Sequence, residues 1–318
     1  MPAFPGNNAG MTQPSASTSP PIAATALPLA GILAALATVL LWAAGLAVTR
    51  FGVTGSLSVW DVIFLRLTPP ALLLLPLLWR LGPGFAPGRS GPVALMLLGA
   101  GLPFICASSI GTLFAPTAHA GALMPGSMPL FTALLGWLVL RDRLGRGRLI
   151  GLGLILAGVL ALGGYHLFAG SAGLWRGHLL FLTGGLLWAT YTLAARQSGL
   201  GPWHAAAVVY VFSALAYLPI YFLALQPRLL IVPVFEIGVQ AVQSVLSGLL
   251  SMYTFGFAVQ KLGAGRAAAF GALVPAMAAL LAIPLLGEWP EPITWGGILL
   301  IGLGVALASG AFIRHNHT

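Results

Sequence analysis

Two apolar stretches with a proline at their centre constrain this chain more than any other feature. The first covers residues 118–142 with Pro129 near its middle, and the second covers residues 264–288 with Pro275 in the same place. Each is long enough to cross a bilayer, which takes about 20 apolar residues. The same offset of 146 residues separates further pairs: Trp42 and Trp188, Arg50 and Arg196, Asp142 and Glu288, Gly158 and Gly304. One unit is therefore used twice, and a matched pair of proline-interrupted spans is typical of a transport site between two halves.

The composition indicates a multi-pass membrane protein. Of the 318 residues, 58% are hydrophobic and only 6% are charged, and the mean hydropathy is +0.98. A soluble domain is about 25% charged. The basic residues behind the net charge of +9 are scattered between apolar runs, so we expect membrane lipid and no nucleic acid as a partner. The single cysteine, Cys106, lies in an apolar run, so we expect no intrachain disulfide, no metal site and no cofactor.

Ten apolar runs are long enough to span a membrane. They cover residues 29–49, 59–79, 92–114, 117–140, 149–168, 178–195, 205–225, 235–259, 265–287 and 293–312. The connections between them are short and leave no room for a soluble domain.

Outside these runs the chain contributes only two tails. Residues 1–28 contain no charged side chain and are rich in Pro, Ser, Thr and Ala, which predicts a disordered tail rather than a secretory signal. The predicted organisation is a tail at 1–28, a first five-helix repeat at 29–170, a second at 175–312, and a tail at 313–318.

Lys and Arg are unevenly divided between the two ends of the runs. Ten lie on one side and three on the other, the three being Arg50, Arg176 and Arg228. The positive-inside rule places the first side in the cytoplasm, together with both termini, for a protein of the inner membrane. Because each unit has five runs, the second enters from the opposite side. We therefore expect an all-α integral membrane protein with ten transmembrane helices arranged as two five-helix inverted repeats.

Small residues recur along the fifth and tenth runs. They are Gly147, Gly151 and Gly158 in the first repeat and Gly297, Gly304 and Ala308 in the second. Such spacing predicts close helix packing, because lipid supplies no hydrophobic drive for helix association.

Several short motifs occur in the same order in both repeats. Residues 41–43 and 187–189 both read LWA, the proline-centred spans end in LRDR at 140–143 or LGE at 286–288, and a glycine-rich fifth run follows. Together these motifs resemble the EamA-type transporters of the drug/metabolite transporter superfamily over about residues 29–312.

The resemblance implies a ten-helix cytoplasmic-membrane transporter for small metabolites, often amino acids or related compounds, frequently in the export direction. Two positions bear on it. Asp142 stands where the family usually has Glu, and Arg66 matches an arginine of the family although its counterpart in the second repeat is Phe212.

A polar stripe marks the eighth run. Six side chains recur at steps of three and four on one helix face: Gln240, Gln243, Ser244, Ser247, Ser251 and Thr254. They predict a cavity wall that binds a polar substrate, since six polar groups exceed what helix association needs. The alternative is interhelical hydrogen bonding, at about 0.6 kcal/mol per contact. Ser108, the counterpart of Thr254, extends the predicted substrate site to the third run, with Ser109 and Thr112 near it.

Arg66 lies about seven residues into the second run. A charged side chain at that depth, roughly 10 Å past the interface, is costly and is a candidate for binding a substrate carboxylate. The alternative is that it snorkels to the outer surface, toward Asp61, as a structural anchor.

Aromatic side chains and prolines complete the predicted site. Trp42, Trp188 and Tyr191 lie inside runs and suit a mostly apolar substrate pocket, with core packing as the alternative. Pro129 and Pro275 each remove a backbone hydrogen bond at mid-membrane, which predicts a hinge or a broken helix, with a tolerated kink as the alternative.

The carboxylates bear on the substrate. We interpret Asp142 and Glu288 as structural residues at span ends, which leaves the membrane interior without a carboxylate for proton-coupled cation exchange. The expected substrate is therefore neutral, zwitterionic or anionic. His119 begins the fourth run, where it is either a gating residue or an ordinary polar residue.

The leading interpretation is a secondary transporter that exports a small polar metabolite, an amino acid or related compound, by alternating access between two inverted repeats. One alternative is an intramembrane enzyme, but the sequence lacks H-E-x-x-H and G-x-S-x-G, so we expect no enzyme. The other is a non-transporting membrane subunit, which a fully paired polar stripe without a cavity would favour. The sequence does not specify an oligomeric state.

Overall fold

The computed structural model describes residues 29–141, 144–168, 173–225 and 227–309. Within these ranges the chain forms ten apolar helical spans, numbered here in chain order. Their bounds are Leu29–Thr54, Val59–Leu81, Ser90–Phe114, Thr117–Val139, Arg146–Phe168, Leu174–Ser198, Pro202–Ala224, Val234–Leu262, Ala264–Leu286 and Pro292–Ala308. The predicted tails at 1–28 and 313–318 lie outside the described residues.

Nine of these helices are long and apolar enough to cross a membrane. Span 10 is equally apolar, but its described part has 17 residues. At 1.5 Å per residue it is about 26 Å long, a little under the roughly 30 Å of a hydrocarbon core. The architecture is the all-α membrane fold with two five-helix inverted repeats that the sequence predicts.

The packing of the spans has the symmetry that the duplication requires. Span 1 contacts spans 8 and 9, and its counterpart, span 6, contacts spans 3 and 4. Span 2 packs on span 7, span 4 on span 9, and span 5 on span 10. If each span is replaced by its counterpart in the other repeat, every one of these contacts becomes a contact that is also present. The pair of spans 1 and 8, for example, becomes the pair of spans 6 and 3. A pseudo-two-fold axis therefore relates the repeats, and most helix contacts join one repeat to the other.

Span 2 shows how local sequence starts and stops a helix. The Ser58 side chain accepts a hydrogen bond from the Asp61 N–H, and the Asp61 carboxylate accepts one from the Ser58 N–H, which forms a capping box. Beyond Leu81 the chain turns at Gly82, whose φ of 81° suits glycine and ends the helix.

Spans 3 and 8 are interrupted at matched positions. Span 3 breaks at Gly101, where φ is −86° and ψ is −145°. Pro103 follows in the next turn and has no N–H with which to continue the hydrogen-bond ladder. Span 8 contains a π-helical turn at Leu246–Leu250, and Ser247 within this turn is the counterpart of Gly101. Each repeat therefore carries one irregular turn at the same place in its third span.

The two central prolines differ in their effect. In span 9, Pro275 lies in the first turn of Val274–Leu286, directly after a 3₁₀ turn at Gly271–Leu273. In span 4, the α-helix continues through Pro129 to Leu135 and only then passes into a π-helical turn. The broken helix expected at Pro129 is therefore wrong, because the helix accommodates this proline. A hinge motion at either proline stays a prediction.

Small residues bring spans 5 and 10 into close contact. A Cβ added to Gly151 would lie 2.6 Å from the backbone nitrogen of Ala308, and one added to Gly304 would lie 2.6 Å from the carbonyl oxygen of Gly151. The predicted glycine packing is confirmed at these positions. It is wrong for Gly147, where an added Cβ would meet nothing within 4 Å.

We expect Gly151→Ala to lower the free energy of unfolding by about 1–3 kcal/mol, because the new methyl group overlaps the backbone of span 10. Gly153→Ala is the matched control, since Gly153 is exposed on the same helix and an added Cβ there meets nothing within 4 Å. Thermal unfolding in detergent measures both variants. Equal melting temperatures for the two would contradict the packing described here.

Candidate functional site

The polar stripe of span 8 faces span 1. The Gln243 side chain donates through Nε2 to the carbonyl oxygen of Leu41 at 3.1 Å. The Trp42 indole donates through Nε1 to the Ser251 hydroxyl at 3.0 Å. The Gln240 amide likewise donates to a span 1 carbonyl, that of Val48. Side-chain hydrogen bonds thus join these two spans.

Spans 1 and 8 are also in close contact elsewhere along this interface. The hydroxyls of Thr38 and Thr254 lie 2.7 Å apart. A Cβ added to Gly45 would lie 3.0 Å from the Cβ of Ser247, so glycine lets span 1 approach the irregular turn of span 8. Ser244 is buried and donates to the Ala241 carbonyl of its own helix. This arrangement matches the interhelical alternative for most of the stripe.

The pairing of the stripe is incomplete. Within the described ranges the Ser247 hydroxyl makes no hydrogen bond, and Gln243 and Ser247 are only half-buried. The substrate-binding role of Gln243, Ser244, Ser247, Ser251 and Thr254 stays a prediction, and it rests chiefly on the two accessible side chains.

A second polar cluster forms between spans 2 and 3. The Arg66 guanidinium donates through Nη1 to the Ser108 hydroxyl at 2.8 Å and to the Ser109 hydroxyl at 2.9 Å. Both serines are buried, and Ser108 in turn donates to the Ile105 carbonyl of its own helix. The predicted site residues Arg66 and Ser108 are thus in direct contact.

The alternative that anchors Arg66 toward Asp61 is wrong, because Asp61 is fully buried and bound elsewhere. Its Oδ2 accepts from the N–H and hydroxyl of Ser58 at 2.9 and 2.6 Å. Its Oδ1 accepts from the Tyr221 hydroxyl and from the Arg228 N–H. Asp61 therefore ties span 2 to span 7 and to the chain beyond it.

Aromatic side chains from spans 6 and 7 border the second cluster. The rings of Trp188 and Tyr191 have centroids 5.2 Å apart, and Trp188 lies 5.1 Å from Phe104 of span 3. The Tyr210 hydroxyl is within electrostatic range of both Arg66 and Tyr191. The rings therefore supply an apolar border to a polar group.

Tyr210 also connects the two clusters. Its hydroxyl occupies the space that a Cβ on Gly248 would fill, within the irregular turn of span 8. At the matching break of span 3, the Ser213 hydroxyl accepts from the Leu102 N–H at 3.1 Å. Span 7 thus reaches both irregular turns. The sequence analysis missed these contacts of span 7. The local signal in the sequence is Pro103, which marks the break at Gly101 but not the side chains that cover it.

An ion pair closes one end of the helix bundle. Arg50 Nε lies 2.7 Å from Glu288 Oε1, and the other oxygen of Glu288 accepts from the Thr117 N–H at 2.9 Å. Arg50 also donates to the Thr112 carbonyl. Ends of spans 1, 3, 4 and 9 meet here. Glu288 thus has the structural setting expected of it, and Asp142 lies outside the described residues.

His119 is part of a buried group rather than a lone polar residue. Its Nδ1 lies 2.9 Å from Nε2 of His178, and its Nε2 lies 3.2 Å from the Thr294 hydroxyl. The group links spans 4, 6 and 10, and its members come from distant parts of the sequence. Among the described residues no three His, Cys, Asp or Glu side chains are placed to hold a metal ion.

Comparison with known proteins identifies the family. The model of the EamA-like transporter family matches residues 29–164 and 175–310, one match for each repeat. The chain belongs to the EamA-like transporter family. Its fold, its apolar spans and its family together make it a multi-pass membrane transporter.

Solved structures with a similar fold also match the chain. One, described as a crystal structure of a protein, has a TM-score of 0.58 and 20% sequence identity. The match covers 88% of this chain and 96% of that chain. At this identity the likeness concerns the fold alone. No curated protein matches the chain.

The buried Asp61 generates a stability prediction. We expect Asp61→Ala to lower the free energy of unfolding by about 2–4 kcal/mol, because four donors lose their acceptor. Glu291→Ala is the control, since Glu291 is exposed and its side chain caps no helix. Thermal unfolding in detergent measures the stability of both variants against that of the unmodified protein. A change within about 0.5 kcal/mol for Asp61→Ala would refute the anchoring role.

Proposed function

We propose that this EamA-like transporter is a secondary carrier that moves a small polar metabolite, an amino acid or related compound, by alternating access between its two repeats. It lies in the cytoplasmic membrane with both termini in the cytoplasm and works in the export direction. The positive-inside bias of the loops supports the orientation.

One observation carries this proposal: the matched interruptions of spans 3 and 8. Carriers built from inverted repeats bind their substrate near the membrane midplane, where helices depart from regular α-helical geometry. Here the two irregular turns, at Gly101 and Leu246–Leu250, are bordered by Tyr210 and Ser213 of the same span. Irregular backbone at membrane depth is tolerated where it is enclosed by protein or lines a water-filled cavity.

The polar contacts support a substrate site on both sides of these turns. One side has Trp42, Gln243 and Ser247, and the other has Arg66, Ser108, Trp188 and Tyr191. Half-buried polar groups beside aromatic rings suit a mostly apolar pocket with a few polar fixing points.

A non-transporting membrane subunit is the second candidate. The extensive hydrogen bonding between spans 1 and 8 favours it, since a tightly paired stripe needs no substrate. Two features favour the carrier: the Ser247 hydroxyl has no hydrogen-bond partner in the described part of the chain, and it lies in an irregular backbone turn.

The Arg50–Glu288 pair offers a direct test, since it joins the repeats at one end of the bundle. We expect a reversible bifunctional thiol reagent on Arg50→Cys/Glu288→Cys, in a Cys106→Ala background, to lower counterflow at least about tenfold. The reason is that a carrier must open at this end in every cycle. Proteoliposomes loaded with a metabolite panel measure counterflow, and reductant should restore it.

The two single-cysteine variants treated with the same reagent are the controls. Full counterflow in a double variant shown by mass to be cross-linked would contradict alternating access at this end. No counterflow from the unmodified protein with any metabolite would favour the non-transporting subunit.

A further inference from the structure

Arg66 has no carboxylate partner within the part of the chain that the structure describes. The ion pair found there joins Arg50 to Glu288 instead. Asp61 accepts from Ser58 and Tyr221, and Glu236 accepts from the Ser56 N–H. The guanidinium thus sits in the helix bundle with two neutral serine hydroxyls as its hydrogen-bond acceptors.

Such a charge is costly unless something compensates for it. A guanidinium inside a membrane protein is retained where it faces a partner charge or a cavity, and serine dipoles neutralise no charge. A ligand that brings a negative charge to Arg66 would relieve this cost. The Arg66 residue as a whole is half-buried between spans 2 and 3.

The unused donors of Arg66 fit one chemical group. Both serine bonds use Nη1, and neither Nε nor Nη2 donates to any described residue. Nε and Nη2 form one edge of the planar guanidinium fork, which matches the two oxygens of a carboxylate. Ser108 and Ser109 would then hold the fork in a fixed orientation from its other side.

The surroundings limit the ligand further. The Tyr210 hydroxyl lies near enough to interact with Arg66 electrostatically, and Tyr191 is in range of Tyr210. These rings and Trp188 offer an apolar surface for an organic body. The counterpart of Arg66 in the second repeat is Phe212, which packs edge-on against Phe85 at 5.6 Å, so the second repeat adds no cation at this position.

We propose that Arg66 binds the carboxylate of a small organic anion or zwitterion through the Nε–Nη2 edge of its guanidinium. Ser108 and Ser109 position the guanidinium. This inference rests on the proposed carrier function and names the substrate class of its site.

A binding experiment tests the proposal without requiring transport. The probes are the L-amino acids, each beside its C-terminal amide, added to the full purified chain in nanodiscs while thermal unfolding is followed. We expect at least one acid to stabilise the protein and its amide to have no effect. Loss of a charge-assisted bidentate contact predicts at least about tenfold weaker binding for Arg66→Gln. Arg66→Lys keeps the positive charge without the planar guanidinium, so its affinity should lie between that of the unmodified protein and that of Arg66→Gln.

Arg80→Gln is the matched control, since Arg80 is exposed at the far end of the same helix. It should bind the acid as the unmodified protein does. Equal stabilisation by an acid and its amide, an unaltered affinity in Arg66→Gln, or no response to any of the acids would overturn the proposal. Binding without counterflow would leave the carboxylate site standing and refute the carrier instead.

The stability of the ligand-free protein gives a second, independent readout. An uncompensated charge predicts that Arg66→Gln unfolds at the same temperature as the unmodified protein or higher. A fall in melting temperature as large as that of Asp61→Ala would assign Arg66 a structural role through Ser108 and Ser109 and overturn the proposal.

Discussion

The absence of water from a bilayer core is the constraint on which this structure depends. Every backbone N–H and carbonyl group at that depth needs a partner inside the protein, so regular helices are the default. A departure such as the break at Gly101 or the π-helical turn at Leu246–Leu250 has to be enclosed by neighbouring spans. Span 7 encloses both, with Ser213 on one and Tyr210 on the other. Span 7 therefore packs on the irregular turns of both repeats.

The same constraint separates two kinds of polar side chain in the bundle. Asp61 has several donors, and the Arg50–Glu288 pair is compensated in charge. Arg66 has hydrogen-bond acceptors but no compensating charge among the described residues. Residues of the first kind hold the helices together, whereas a residue of the second kind stores a cost that a ligand can relieve. The Asp61 carboxylate thus accepts from four donors, whereas the Arg66 guanidinium donates to two hydroxyl groups.

Duplication supplied the scaffold, and divergence between the copies supplied the side chains of the proposed site. Backbone features recur at the offset of 146, as Gly101 and Ser247 show. Side chains at the centre differ between the repeats. Arg66 of the first repeat corresponds to Phe212 of the second, and Gly45 corresponds to Tyr191. In the proposed cycle, the symmetric backbone lets the two repeats exchange conformations, and the asymmetric side chains set one orientation of the substrate.

Much of the fold could be predicted from the sequence, because span length, repeat offset and charge bias are local or additive signals. The contact between Gly151 and Ala308 follows the same logic of small residues. The partners of Arg66 and His119 could not be predicted, because they depend on how distant spans are rotated against each other. The polar stripe of span 8 illustrates this limit: its periodicity defines a face, but only packing shows that span 1 covers it.

The central claim is that the two repeats move against each other, and a distance measurement across one end of the bundle tests it most directly. Spin labels at Thr54→Cys and Trp289→Cys, both exposed, report the separation of spans 1 and 9 in a Cys106→Ala background. Pulsed electron paramagnetic resonance in nanodiscs should show two distance populations whose ratio changes when a transported metabolite is added. A single narrow distance that no transported metabolite alters would contradict the account.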